Sequence, residues 1–214
     1  GGNGVALSGN VGMLSGLWSL TEPSSSTRAW HLAGGDSEVN TLGNYGTQNV
    51  GAASNWPGSR FQSAMWCDDT GALDGLVLFG GFGFGASGLA GELSDLWSFQ
   101  SGVWAHTGGT TSTGSTAQYA VQFHADPGNW PGARHGATSW IDADGGMWLL
   151  GGSGYGSDVV SGSLNDLWTF SPGGWSWVGG VEITDAYGEY RHEPGFASTF
   201  NWPGSRSSSS VWVD

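Results

Sequence analysis

The sequence has no Lys; its basic residues are Arg28, Arg60, Arg134, Arg191 and Arg206. Charged residues are 11% of the chain, against about 25% in ordinary domains. With 18 acidic groups the formal net charge is −13. Five scattered cations exclude a nucleic-acid partner, which needs a basic footprint. A single cysteine, Cys67, excludes an internal disulfide framework and any Cys/His zinc spacing. No apolar run approaches the roughly 20 residues of a membrane-spanning helix, so membrane insertion is not expected. The chain starts at Gly1 with no basic–apolar signal segment, which predicts a processed product or a piece of something longer. Neither Gly-x-Ser-x-Gly, His-Glu-x-x-His nor a phosphate-binding loop occurs.

What is abundant is glycine, 41 of 214 residues, and tryptophan, 14 residues. Glycine at this level disfavours helices, because each interior Gly costs about 1 kcal/mol relative to Ala. There is no Gly-X-Y period, and 13% aromatic residues is too many for a disordered chain. The glycines and tryptophans fall in register through an internal repeat. Asn-Trp-Pro-Gly recurs at Asn55–Gly58, Asn129–Gly132 and Asn201–Gly204, each followed by a small residue and then Arg60, Arg134 or Arg206. Eight residues after each Arg stands an Asp (Asp68, Asp142, Asp214), preceded two residues earlier by Trp66, Trp140 or Trp212. Gly pairs at Gly1, Gly80 and Gly151 are each followed after 17 residues by Trp18, Trp97 or Trp168.

Each unit reads as four short strands. In the best-defined copy these are Phe61–Asp68, Leu76–Phe79 ended by the Gly pair, Asp95–Phe99, and Val103–Thr107. A long Ser/Thr/Gly connection such as Thr110–Gly128, expected to fold over a face or between units, leads to the next copy. Four strands and one long connection, repeated, follow the logic of a β-propeller blade. The expected fold is all-β: a partial propeller of about three blades, with units at roughly 1–54, 55–128, 129–200 and a first strand at 201–214. Three blades do not readily close a ring, since propellers have about four to eight. The expectation is therefore a piece of a longer propeller, or completion by a second chain.

A strand ending in a Gly pair, a loop, Asn-Asp-Leu-Trp-x-Phe at Asn165–Phe170 and a spaced Trp resemble the kelch repeat. The Tyr-Gly-Thr-Gln stretch at Tyr45–Gln48, Pro-Gly-Ala/Ser-Arg and Leu-Phe-Gly-Gly are similar to the long-repeat bacterial-type kelch-like group, related in fold to galactose oxidase. The galactose oxidase resemblance would imply copper, two Tyr, two His and a Cys–Tyr thioether. The chain offers only Cys67 and five dispersed His, so no cofactor and no metal site is expected.

The recurrent Arg60, Arg134 and Arg206 at strand starts, with Asp95 and Asp166 before Leu-Trp in the third strand, are read as a structural clamp; Gly16 breaks the pattern in the first unit. Trp18, Trp97 and Trp168 are read as packing between units. Trp56, Trp130 and Trp202 either anchor the long connections or offer faces for sugar stacking. Phe82, Phe84 and Tyr155, flanked by Gly in the loop between second and third strands, either line a ligand or partner surface or cover a blade edge. Asp68-Asp69 and Asp142-Ala-Asp144-Gly145 are read as hairpin turns rather than calcium loops. His31 and His106, each following a Trp in a fourth strand, are read as matching repeat positions. The expected function is non-enzymatic: a binding or scaffold module in an extracellular or cell-surface assembly, with a protein partner or self-assembly. A glycan-binding propeller and a fragment of a copper-dependent carbohydrate oxidase are the alternatives.

Overall fold

A computed structural model describes residues 1–21, 29–68, 75–191 and 195–213. Arg28, Asp69, His192 and Asp214 lie outside the described residues, as does the side chain of Asp68. The described chain is all-β, in four antiparallel sheets. The first unit holds two hairpins, β1 (Gly2–Val5) with β2 (Val11–Leu14) and β3 (Leu17–Thr21) with β4 (Ala29–Gly34). The second unit is one sheet: β5 (Arg60–Phe61) and β6 (Ala64–Asp68) both pair with β7 (Gly75–Phe84), followed by β8 (Ala90–Gln100) and β9 (Val103–Gly108). The third repeats it with β10 (Arg134–His135) and β11 (Thr138–Ile141) on β12 (Met147–Tyr155), then β13 (Ser161–Ser171) and β14 (Gly174–Gly179).

The Gly pair does not end the second strand, contrary to the sequence expectation. β7 and β12 run through it, and the register with the third strand slips between Phe79 and Gly81 and between Leu150 and Gly152. The pair is a β-bulge, with Gly80 and Gly151 both at φ +61. A Cβ on Gly80 would stand 2.7 Å from the Leu93 carbonyl oxygen and 2.8 Å from that of Arg134 in the next unit. At Gly151 the corresponding oxygens belong to Leu164 and Arg206, both at 2.7 Å. Only Gly fits the dihedral and the approach of the neighbouring backbone.

Successive units pack face to face. Alternation along β7 sends Val77 and Phe79 toward the third unit, into a cluster with Trp66, Leu149, Trp168 and Trp175. Leu76 and Leu78 point the other way, packing with Trp97 and Trp104 of their own sheet and with Tyr45 and Leu17 of the first unit. At one edge the units are stitched by backbone bonds: the Gly136 N–H donates to the Gln62 carbonyl (2.9 Å) and the Ser208 N–H to that of Gly136 (2.7 Å). These matching residues share left-handed φ values of 54°, 63° and 55°. The Gln62 amide also reaches the Ser208 hydroxyl at 3.4 Å, so the second unit touches the segment after the third.

The first two long connections, expected over a face or between units, are placed at a strand edge. Both lie along the outer strand of the following unit, where the Ala52 N–H donates to the Trp104 carbonyl and the Asp126 N–H to that of Trp175. This covers an edge that would otherwise present unpaired backbone groups.

Candidate functional site

The recurrent charged residues meet in two buried clusters of the same design. In the second unit the Arg60 guanidinium grips Asp95 with both ends, Nη1 to Oδ1 at 2.7 Å and Nη2 to Oδ2 at 2.8 Å. Two further donors, Nε and the second Nη1 N–H, reach the carbonyls of Gly58 (3.2 Å) and Gly80 (2.9 Å). Asp95 Oδ2 also accepts from the Tyr45 hydroxyl (2.7 Å) and the Trp97 indole (2.8 Å). In the third unit Arg134 holds Asp166 at 2.6 and 2.8 Å, with Tyr119 (2.8 Å) and Trp168 (2.7 Å) on the same oxygen.

The sequence places these partners. Arg60 sits at the start of β5 beside the bulge in β7, and Asp95 lies across β8 where that bulge turns the strand. Burial alone would raise the Asp95 carboxyl, but the Arg60 charge and the hydrogen bonds from Arg60, Trp97 and Tyr45 hold it below its ordinary value. Tyr45 and Tyr119 are pushed far upward by burial and by the adjacent carboxylates. Every oxygen of Asp95 and Asp166 is committed and none reaches solvent, so these clusters join strands and connection rather than meet a ligand.

Tyr45 and Tyr119 were not singled out as clamp residues. Their spacing of 74 residues, equal to that of the first two Asn-Trp-Pro-Gly motifs, is the signal that marks them. The third Arg has no such cluster among the described residues: Arg206 is exposed, and its Nε reaches the Gly204 carbonyl at 2.9 Å.

Trp56, Trp130 and Trp202 are each laid over the terminal Gly of the preceding fourth strand. A Cβ on Gly34 would stand 2.5 Å from Trp56, and one on Gly179 2.6 Å from Trp202; Trp130 covers Gly108 in the same way. Trp130 and Trp202 also donate to the carbonyls of Ser94 (3.0 Å) and Asn165 (2.9 Å). Phe82 and Phe84 lie in β7 and Tyr155 closes β12, so these are strand positions rather than loop positions. Phe82 packs with Phe61 (5.5 Å between centroids) and His135 (5.7 Å), and Tyr155 faces Gly114.

His31 and His106 are not equivalent: His31 pairs with Ser19, whereas His106 pairs with Trp97 and Leu32 with Trp18. Among the described residues no three His, Cys, Asp or Glu side chains come together as metal ligands. The described residues do not bring together the donor set of the copper centre that the galactose oxidase resemblance would imply. Asp142 is engaged in its own turn, its carboxylate accepting from the N–H groups of Asp144 (3.0 Å) and Gly146 (2.7 Å) and from the Trp148 indole (2.6 Å).

The open apolar surface lies elsewhere. The outer face of the first unit exposes Trp18, Leu20, Trp30 and Leu32, the positions matched in the second unit by Trp97, Phe99, Trp104 and His106. A groove of about 420 Å³ runs along this face past Val5, Leu7 and Leu14. A larger one of about 630 Å³ separates β4 from β9, floored by Trp56 and Trp104. No family model matches the chain, and no curated protein matches it at a significant level.

Proposed function

We propose that the chain is a kelch-type β-propeller segment of about three blades, acting as a non-enzymatic scaffold in an extracellular or cell-surface assembly. The units stack face to face, and the bonded positions Gln62, Gly136 and Ser208 draw one edge of three successive repeats together, as blades around an axis require. The observation that carries the scaffold reading is the contrast between closed polar clusters and open apolar faces. Asp95 and Asp166 are saturated by protein partners, whereas Trp18 and Trp30 are 56% and 68% exposed on one continuous face. Contiguous exposed apolar surface marks interaction sites for macromolecules rather than for small polar substrates.

Fractionation of the source cells tests this. The native protein is expected in the medium or surface fraction, within a complex larger than the chain; recovery from the cytosol overturns the reading. Saturable binding on a glycan array would replace it with a glycan-binding propeller. A Cys67–Tyr crosslink found by peptide mass spectrometry would replace it with an oxidase.

A further inference from the structure

Three turns at one end of the stack are apolar where turn chemistry favours Gly, Asn and Asp. The loop between β1 and β2 carries Leu7, that between β7 and β8 ends on Leu89, and that between β12 and β13 holds Val159 and Val160. These side chains are between 59% and 88% exposed. Leu89 is 71% exposed although its unit has a described neighbour on both sides, so the exposure belongs to the loop itself. At the opposite end the described turns are Ser101-Gly102, Pro172-Gly173 and Asp142–Gly146, with no large aliphatic residue among them. The apolar loops are held alike. The N–H groups of Leu7, Ala86 and Ser157 donate to the carbonyls of Ser37, Thr111 and Glu182, at the start of each long connection, at 3.1, 2.8 and 2.6 Å. Each of the first two connections then bonds the loop of the following unit, the Gly43 N–H to the Gly85 carbonyl (3.2 Å) and the Ala117 N–H to that of Gly156 (2.8 Å). Loops and connections therefore alternate along one pre-ordered rim, which a partner need not order on binding.

The charge of the rim selects the partner. Its loops and connection starts, residues 6–10, 35–43, 85–89, 109–117, 156–160 and 180–188, contain Asp36, Glu38, Asp158, Glu182 and Asp185 and no Arg, Lys or His. Carboxylates stand beside the apolar tips. Glu38 accepts from the hydroxyl of Ser8, next to Leu7, at 2.6 Å, and Glu92 of β8 accepts from that of Ser161, next to Val160, at 3.3 Å. An aliphatic tip with a carboxylate at its side matches a Lys or Arg side chain, whose stem is apolar and whose head is cationic. A second copy of the chain, with its formal charge of −13, would bring like charges to the same rim. We infer that this rim docks a cationic polypeptide, with Lys or Arg stems lying on Leu7, Leu89, Val159 and Val160 and their charges meeting Glu38, Glu92 and Glu182. The inference supplies a partner for the scaffold reading and rests on it.

Fluorescence anisotropy of short labelled peptides titrated with the 214-residue chain tests this. An alternating Lys-Leu peptide is expected to bind saturably, an alternating Lys-Ser peptide at least about tenfold more weakly, and an alternating Glu-Leu peptide not at all. Equal binding of the two Lys peptides, or binding of neither, overturns the proposal. Leu7→Ser, Leu89→Ser, Val159→Ser and Val160→Ser combined, all at exposed positions, should raise the Kd of the Lys-Leu peptide by at least about tenfold; an unchanged Kd overturns it. Glu182→Gln at the rim should weaken binding more than Asp144→Asn at the opposite end, and equal effects overturn it. Binding of the chain to phosphatidylcholine vesicles, lost in the fourfold variant, would assign the rim to a lipid surface instead. Fractionation judges the scaffold reading separately. A native surface complex without peptide binding leaves that reading and removes this partner; peptide binding by a protein recovered from the cytosol removes the setting and leaves the rim.

Discussion

Trp18 and Trp97 hold the same place in the repeat, each following Leu at the start of the straight part of a third strand. Trp97 is 0% exposed and Trp18 is 56% exposed. Trp97 donates to Asp95, which is gripped by Arg60, and the ring is roofed by Tyr45 at 4.8 Å. Trp18 has Gly16 in place of the Asp, and no preceding unit covers it among the described residues. The motif therefore sets where an indole points, and the neighbouring unit sets whether it is buried. The apolar positions are interfaces between repeats, buried where a neighbouring unit covers them and exposed where none does.

The largest expected effect comes from breaking a clamp. Asp166→Ala leaves the Arg134 guanidinium buried without its counter-charge and should cost about 3–5 kcal/mol in urea unfolding. Gly16→Asp in the dilute chain should change stability by less than about 0.5 kcal/mol, because no buried Arg awaits it there. Tyr119→Phe removes one hydrogen bond to a buried carboxylate and should cost about 1.5–3 kcal/mol. Gly151→Ala forces a side chain into left-handed backbone against two carbonyls and should cost about 1–3 kcal/mol by thermal unfolding.

Stability should also fall with rising pH. Tyr45 and Tyr119 have folded pKa values above their ordinary value of 10.0, so their contribution is fully present below pH 10.0 and is lost as the pH climbs beyond it. Double substitution with Phe should flatten this alkaline limb, as followed by circular dichroism. Asp95 works in the opposite sense: its depressed pKa contributes stability above its ordinary value, which is lost as the pH falls through the folded value.

The strand order, the repeat and the meeting of Arg60 with Asp95 were legible because each rests on spacing that recurs. Three features were not. Gly80 and Gly151 read as strand ends because Gly interrupts an apolar run, yet glycine at positive φ also lets a strand continue past an extra residue. Tyr45 and Tyr119 lie inside low-complexity connections, and although Tyr45 opens the Tyr-Gly-Thr-Gln stretch, only their equal spacing points to a shared part in the clamps. Gln62 and Ser208 adopt left-handed backbone that neither side chain advertises; the bonds to neighbouring repeats hold them there. For Trp18 the one local sign is Gly16 in place of the Asp, since Leu-Trp itself reads the same in all three copies.

The central claim is that burial at these positions belongs to the stack of repeats rather than to the residue. Urea unfolding of Trp97→Ala and Trp18→Ala, both dilute enough to be monomeric, tests it most directly. The account predicts a loss of about 3–5 kcal/mol for Trp97→Ala and less than about 1 kcal/mol for Trp18→Ala. Equal losses for the two would contradict it.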